Sequence, residues 1–479
     1  PNDYAPFCRT IMRHSAERLC AILPNDYAPF CRTIMRHSAE LIDSAMVVRY
    51  NTSKKTHMKE YRPRIADTLL SQKLEAKGAI LIQGPKWCGK TTTALQIARS
   101  VLYLQDPQEG KQARLAAELH ISSLLQGDVP RLLDEWQLVP ELWDAVRHEV
   151  DMRDAFGQFI LTGSTTPLAN MAYSHSGTGR IARITMRPMT LQESGESSGQ
   201  ISLSGLFKAE GPIQGVSALS VADIAFLMCR GGWPKAVDLP HHIALQQSVD
   251  YVDSIVESHL VSYDGVQRNP ERVRNLLRSF ARYTATDAKI TRIHQDILSN
   301  DNERLSYDTT HSYISALKQL FVIEDLPAWS PKLRSRTVVR SSDVHHFCDP
   351  SLATAAIGAT PDDLLNDLET MGLFFESLCI RDLRVYAQAL DGNLAHYRDK
   401  NNLECDAIIH RRDGSYALVE IKLGGSLIDE GAAHLLALEQ NIDTTRMKKP
   451  AFCMVLTAGR YAYTRKDGVH VVPIACLGV

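Results

Sequence analysis

The stretch GPKWCGKTTT, residues 84–93, restricts this chain more than any other. It fits the pattern GxxxxGK[ST] from Gly84 to Thr91. That pattern needs an apolar strand before it and a helix after it. KGAILIQGP (77–85) reads as the strand, and TALQIARS (93–100) follows with helical spacing. In that setting glycines let backbone N–H groups turn inward around the β-phosphate of a nucleotide. Lys90 neutralises the β and γ oxygens, the Thr91 hydroxyl ligates Mg²⁺, and the helix N-terminus adds partial positive charge. Gly84, Pro85, Lys86, Trp87, Cys88, Gly89, Lys90, Thr91 and Thr92 are therefore expected to hold ATP. Cys88 stands at a loop position that tolerates many residues, which argues against a redox role.

A nucleotide-hydrolysing site also needs acids on a neighbouring strand. RLLDEWQ (131–137) supplies them at the end of an apolar run. Asp134 is expected to hold the magnesium and Glu135 to polarise the attacking water. Further strands are expected at VLYLQD (101–106), at FGQFILTGSTT (156–166) and at RIARITMRPM (180–189), with helix over 109–126. The polar end of the second of these, Thr162 to Ser164, can sense a γ-phosphate. Arg180 and Arg183 are candidates for the arginine that completes the transition state, in cis or from a neighbouring subunit, with an exposed structural role the favoured reading of each.

Behind this front half the chain changes character. Residues 221–260 read as helix broken by Gly231-Gly232-Trp233-Pro234, a helical lid. Three amphipathic helices then begin near 269, 289 and 307, followed by two strands around a basic tip, PKLRSR. That order predicts a winged helix. Between 268 and 340 there are 13 Lys and Arg against 8 Asp and Glu. The surplus suits phosphate contacts, through Lys332, Arg334 and Arg336 of the wing. The third helix carries only Lys318 for base contacts, so a packing role for the module stays open.

The tail holds a second chemistry. LAHYRD, LECDAIIHR and YALVEIKL read as three strands after a helix over 361–390, with a hairpin turn at Asp413-Gly414. Glu420 and Lys422, two apart, share a strand face, and Asp406 lies across the hairpin. A pair of carboxylates with a lysine can hold Mg²⁺ against a phosphodiester and orient water. Asp406, Glu420 and Lys422 are thus candidate catalytic residues, with Asp406 and Glu420 as metal ligands and Glu376 as a possible third acid. A tail that only binds DNA or protein is the competing reading, since a fold does not guarantee its chemistry.

Composition bounds the rest. The 479 residues suit several domains, and 44% apolar with 23% charged is ordinary for a globular chain. A net charge of −2 gives no global pull toward nucleic acid or membrane. There is no apolar run of 18 residues, so no membrane partner is expected. The 10 cysteines are scattered without CxxC spacing, which suits reduced thiols and a cytoplasmic setting. The adjacent pairs at His241 and His345 point apart on any regular element and are not expected to bind metal. Residues 1–17 recur identically at 24–40, unlike a structural repeat, which diverges and continues. Residues 1–57 are set aside, with Met58 the expected start.

In order, GPKWCGKTTT, LLDEWQLVPELWDAVR, FILTGSTT, GRIARITMRPMTLQE, GGWPKAV, GLFFESLCIRDL and ECDAII…VEIK resemble the prokaryotic AAA-superfamily ATPases with a restriction-endonuclease-like C-terminal domain of unknown function. The resemblance implies an α/β fold: an AAA-like P-loop NTPase with a parallel sheet (58–215), a helical lid (216–265), a winged helix (266–355) and an α/β restriction-endonuclease-like domain (356–479). It implies ATP and Mg²⁺ as cofactors, Gly84, Gly89, Lys90, Thr91, Asp134 and Glu135 at the ATPase site, and Asp406, Glu420 and Lys422 as a nuclease-like triad. Ser164 joins the nucleotide contacts in this reading, DNA or RNA is a candidate partner, and a homo-oligomer is a candidate assembly with a monomer left open. The family's Arg-Asp pair near the end of the lid is missing, where this chain reads IVESHLVSYDG.

Overall fold

The chain places its phosphate-loop strand in the middle of a parallel sheet. The computed structural model describes residues 61–165, 177–260, 268–300, 305–330, 342–401, 403–445 and 447–479. The repeated N-terminal segment and the wing residues Lys332, Arg334 and Arg336 lie outside them. The first sheet contains β1 (Ala79–Gln83), β2 (Ser100–Tyr103), β3 (Arg131–Asp134), β4 (Phe159–Gly163) and β5 (Ile181–Thr185) in the order β2-β3-β4-β1-β5. All pairings are parallel, with Ala79 beside both Phe159 and Ile181. The acidic strand β3 is therefore separated from the phosphate-loop strand β1 by β4.

Alternation along these strands feeds two cores. Leu81, Leu133 and Leu161 pack with Leu142, Trp143 and Val146 of the helix Leu142–Arg153. On the other face Ile80, Ile82, Leu132 and Ile160 pack with Leu70 and Leu74 of the helix Ile65–Leu74 and with Cys88 and Ala94. A sheet covered on both faces reads as near-continuous apolar runs, as β1 does. Each such buried side chain contributes roughly 1.5–3 kcal/mol. Helix over 109–126 is shortened: an α-helix ends at His120 and a 3-10 turn occupies Ile121–Leu125.

The helix Val221–Arg230 starts on a reciprocal cap between Ser220 and Asp223 and stops at Gly231, whose φ of 74° suits glycine. After the Gly231–Pro234 break comes the helix His241–Ser254. Three helices follow, Pro270–Arg282, Ile290–Asn300 and Tyr307–Gln319, and then the antiparallel pair β8 (Ile323–Leu326) and β9 (Val344–Phe347).

Two helices, Pro361–Asn366 and Leu368–Ala389, stand where one was expected. Asp367 breaks the run and caps the second helix by accepting Thr370 N–H at 3.1 Å. The tail sheet contains β10 (Gly392–Arg398), β11 (Glu404–Arg411), β12 (Tyr416–Lys422), β13 (Cys453–Thr457), β14 (Tyr461–Thr464) and β15 (His470–Pro473). A seventh strand, β7 (Gln214–Val216), completes the order β10-β11-β12-β13-β15-β14-β7. The short β6 (Ile201–Ser202) pairs with the chain end, β16 (Leu477–Gly478). Residues 201–216, which a boundary at 215 would leave with the front domain, thus pair with the tail. Ser197 Oγ donating to Leu477 O at 2.7 Å and Ser217 N to Arg460 O at 2.7 Å fasten the same join. Pro63–Val479 forms one compact unit.

Two glycines separate close approach from mere flexibility. A Cβ on Gly232 would lie 2.1 Å from Met189 O, whereas one on Gly372, inside the Leu368–Ala389 helix, meets nothing within 4 Å. Gly232→Ala should destabilise the chain by about 1–3 kcal/mol. Gly372→Ala should stabilise it by about 0.5–1 kcal/mol. Thermal melting of the two variants beside the parent checks both signs.

Candidate nucleotide and carboxylate sites

At the end of β1 the backbone turns at Gly84, φ 151°, where a Cβ would sit 2.0 Å from Met186 O. Gly89, φ 102°, starts the short helix Lys90–Leu95. Lys90 is 5% exposed and its Nζ donates to Gly84 O at 3.0 Å and Pro85 O at 2.8 Å. The ammonium is thus held inside the loop it is expected to serve. Lys86 lies beside it; burial depresses its pKa, and Lys90 pushes the same way against Glu135. Thr92 is exposed on the helix.

Asp134 is the meeting point. Its Oδ1 accepts the Thr91 hydroxyl at 2.6 Å and the Thr162 hydroxyl at 2.7 Å. Its Oδ2 accepts Gln105 Nε2 at 3.3 Å. Thr162 Oγ1 in turn accepts the Glu135 N–H at 3.1 Å, so one hydroxyl ties both acids to β4. Glu135 is left-handed, φ 57°, a conformation that a non-glycine residue adopts at a cost. Its Oε2 accepts Ser164 Oγ at 3.0 Å and Gln137 Nε2. A hydroxyl and a carboxylate in contact form a hard-oxygen donor set, the kind magnesium takes. The residues present therefore fit the ion.

Trp87 is left-handed and 44% exposed, edge-on to Tyr251 at 5.4 Å between centroids. Tyr251 stacks on Trp233 at 4.6 Å. Cys88 is fully buried, with Sγ 3.5 Å from Met186 O, which closes it to reagents. Its carbonyl accepts Arg64 Nη1 at 2.8 Å, and Arg64 is paired with Glu193 at 3.0 Å.

The two arginine candidates do not lie at this loop. Arg180 O accepts Ala79 N at 3.2 Å, so Arg180 sits at the start of β1, a strand length from Gly84. Its side chain pairs with Asp151 at 2.8 Å. Arg183 covers the Trp143 ring at 5.7 Å.

In the tail, the pairing of Ala407 with Val419 sets Asp406 across from Glu420. Asp406 Oδ2 accepts the Ile421 N–H at 2.7 Å. Glu420 is 1% exposed; its Oε1 takes Lys422 Nζ at 2.9 Å and lies 3.3 Å from His434 Nδ1. Its Oε2 is buried and has no hydrogen-bond partner among the described residues. Burial, then Glu420, pushes the Asp406 carboxyl up to about 7. Burial, then Asp406, pushes Glu376 well above the carboxylate range. Burial opposes the charge on Lys422, but Asp406 and Glu420 outweigh it and hold its proton. The four residues thus form one electrostatic group, beside a cavity of about 250 Å³ that Glu376, Asp406, His396 and Arg398 help to line. Among the described residues no set of three or more His, Cys, Asp or Glu is arranged to hold a metal ion. The acids meet as a carboxylate pair with an ammonium already on Glu420.

A buried ionic hub ties the Gly231–Pro234 break to the Leu368–Ala389 helix. Arg381, 2% exposed, pairs with Asp349 at 2.9 Å and Asp382 at 2.7 Å. Asp349 Oδ2 also accepts Gly232 N at 2.9 Å, and Asp382 Oδ2 accepts Leu191 N at 2.9 Å. Trp233 Nε1 donates to Ser351 Oγ at 3.0 Å. Burial raises Asp382 to about 6 even against the Arg381 charge. Nearby, Glu324 takes both Arg187 and Arg384.

Residues 76–195 match the family model of an AAA domain, so this part of the chain is similar to AAA-type domains. Residues 221–363 and 371–477 match two domains of unknown function, DUF8612 and DUF4143. The uncharacterized proteins Mb2031c of Mycobacterium bovis and Rv2008c of Mycobacterium tuberculosis are each 23% identical over 369 residues, covering 75% of this chain and 73% of the relative. Among solved structures, the Walker-type ATPase PABY2304 of Pyrococcus abyssi is 13% identical, covers 63% of this chain and 97% of that one, and gives a TM-score of 0.38. Among the described residues no helix is long and apolar enough to cross a membrane.

Glu324 gives a pH test of the join. Burial raises its pKa, but Arg187 and Arg384 win and hold it at about 2 against an ordinary 4.5. A depressed carboxylate contributes stability above its unfolded pKa and loses it as pH falls through the folded one. Glu324→Gln should therefore cost about 2–3 kcal/mol at neutral pH. The gap from the parent should narrow as pH falls from 4.5 toward about 2, as measured by denaturant unfolding.

Proposed function

We propose that this chain is a magnesium-dependent ATPase whose nucleotide cycle governs the C-terminal carboxylate domain on a nucleic acid. The observation that carries the reading is the contact of Thr91, Thr162 and Asp134, with Glu135 tied to the same hydroxyl. Lys90 binds the β and γ oxygens in place of the loop carbonyls. Thr91 and Asp134 hold magnesium, which neutralises phosphate charge when bound. Glu135 accepts the proton of the attacking water, and Ser164 and Gln137 fix its carboxylate. With Arg180 and Arg183 engaged elsewhere, the transition-state arginine comes from a neighbouring subunit, so the working form is a homo-oligomer. The three helices with β8 and β9 serve as a winged helix, and the protein works in the cytoplasm.

The hub supports coupling between the sites. Trp87 of the loop touches Tyr251, Tyr251 touches Trp233, and Trp233 is bonded to Ser351 beside Asp349. Arg381, bonded to Asp349, lies on the same helix as Glu376. In the cutting form of the reading, Asp406 and Glu420 would be the residues to hold a magnesium ion, which would supply charge neutralisation for a phosphodiester, and Lys422 would orient water. A second reading is favoured by the Lys422–Glu420 pair and the small cavity: the tail binds nucleic acid or protein without cutting.

Two substitutions test these roles. Glu135→Gln should lower ATP turnover by about 10²–10⁴-fold while nucleotide still raises the melting temperature. Unchanged turnover would remove Glu135 from its role. Asp406→Ala should abolish metal-dependent cleavage of DNA or RNA and leave turnover intact. If the parent protein cuts neither, the binding reading holds.

A further inference from the structure

Two arginines share one carboxylate on the wall of a cleft of about 800 Å³. Glu324 takes Arg187 through both oxygens, one contact being Nε to Oε2 at 2.9 Å, and Arg384 at 3.6 Å. The arginine side chains are only 11% and 5% exposed. Two cations against one anion leave a positive charge in excess where water screens it poorly. Burial presses Arg384 below the usual arginine pKa, Arg187 beside it pushes the same way, and Glu324 and then Asp325 pull against them. An anion in the cleft would relieve that crowding.

The surrounding charges do not supply one. Asp325, a second acid on the wall, is already bonded to Lys318 and His345. Asp391 is paired with Arg412 at 3.0 Å. Lys73 and Arg183 also line the cleft and have no carboxylate partner among the described residues. Among the described residues no aromatic ring lines it, so base stacking is not offered and charge must do the recognising. None of residues 84–91 and none of Asp406, Glu420 and Lys422 lines it, so it is distinct from both sites above.

We propose that this cleft binds phosphate groups, as the backbone of a single-stranded nucleic acid. The position of β10 favours a strand over a free phosphate. Its first residues, Gly392 to Leu394, line the cleft, and its last, His396 to Arg398, line the cavity beside Asp406. A backbone held here lies within about 20 Å, the length of a seven-residue strand, of the tail carboxylates. The inference rests on the reading that the chain acts on nucleic acid and adds where the strand enters.

The test is fluorescence anisotropy of a fluorescein-labelled single-stranded oligonucleotide with the full chain, titrated at several salt concentrations. Lys73→Glu combined with Arg412→Glu should weaken binding at least about tenfold at low salt. The salt slope should flatten by about 0.7 for each phosphate that is no longer neutralised. Lys73→Arg should bind like the parent. The melting temperature and ATP turnover of the double variant show that it remains folded. Strand binding that is unchanged in the double variant overturns the cleft and leaves the proposed function standing. Loss of strand binding in a protein that never turns over ATP does the reverse. Inorganic phosphate separates the two sources: if it stabilises the parent but not the double variant, and no oligonucleotide binds, the site is a small-phosphate site and the strand proposal fails. If neither ligand binds the parent, the proposal is overturned outright.

Discussion

Arg381, sealed between Asp349 and Asp382, is the contact on which the arrangement of the other parts depends. Burying an ionic triad is rarely the most effective way to gain stability, because desolvation of the charges offsets most of their attraction. What the triad does is fix geometry. The spare oxygen of Asp382 takes the N–H of Leu191, where the chain leaves the first sheet. Asp349 takes the N–H of Gly232 in the Gly231–Pro234 break. Four segments distant in sequence are thereby held by groups that tolerate little displacement, since any unpaired member would be a buried charge. The close approach of Gly232 to Met189 O, with Met189 N donating back at 2.6 Å, belongs to the same join.

The nucleotide loop is fixed in a similar manner. Thr162 serves both acids with one hydroxyl, so the strand β4 that separates β1 from β3 also sets the distance between Thr91 and Asp134. The backbone is left-handed at both Glu135 and Trp87. Strain of this kind persists only where the surroundings over-determine it. Under the proposed function, phosphate binding at the loop works against Trp87 and reaches the hub through Tyr251 and Trp233.

Much of this was legible in the sequence because it is local. GPKWCGKT specifies its own turn, the acids of RLLDEWQ follow their strand at once, and the Asp413-Gly414 turn sets the register that opposes Asp406 to Glu420. What escaped is what distance in sequence hides. The strands at 201–216 are too short to announce themselves, and their partners lie more than two hundred residues away. For Arg180, at a loop-to-strand boundary, the structural role is the favoured reading, and the parallel register puts that boundary at the far end of β1 from the loop. His434 reaches Glu420 from the helix Ile428–Asn441, with no motif to mark it. The break at Asp367 is a cap inside an apolar run, which periodicity alone passes over.

Centrally, a nucleotide held between Gly84 and Thr91 should be felt along the helix Leu368–Ala389. Amide hydrogen exchange of the full chain, with and without a non-hydrolysable Mg-ATP analogue, tests this most directly. The expected result is slowed exchange at the loop, at Leu191 and Gly232, and along the stretch of that helix from Glu376 to Arg384. Protection confined to the loop and the acidic strand, with that helix exchanging at the same rate in both states, would contradict it.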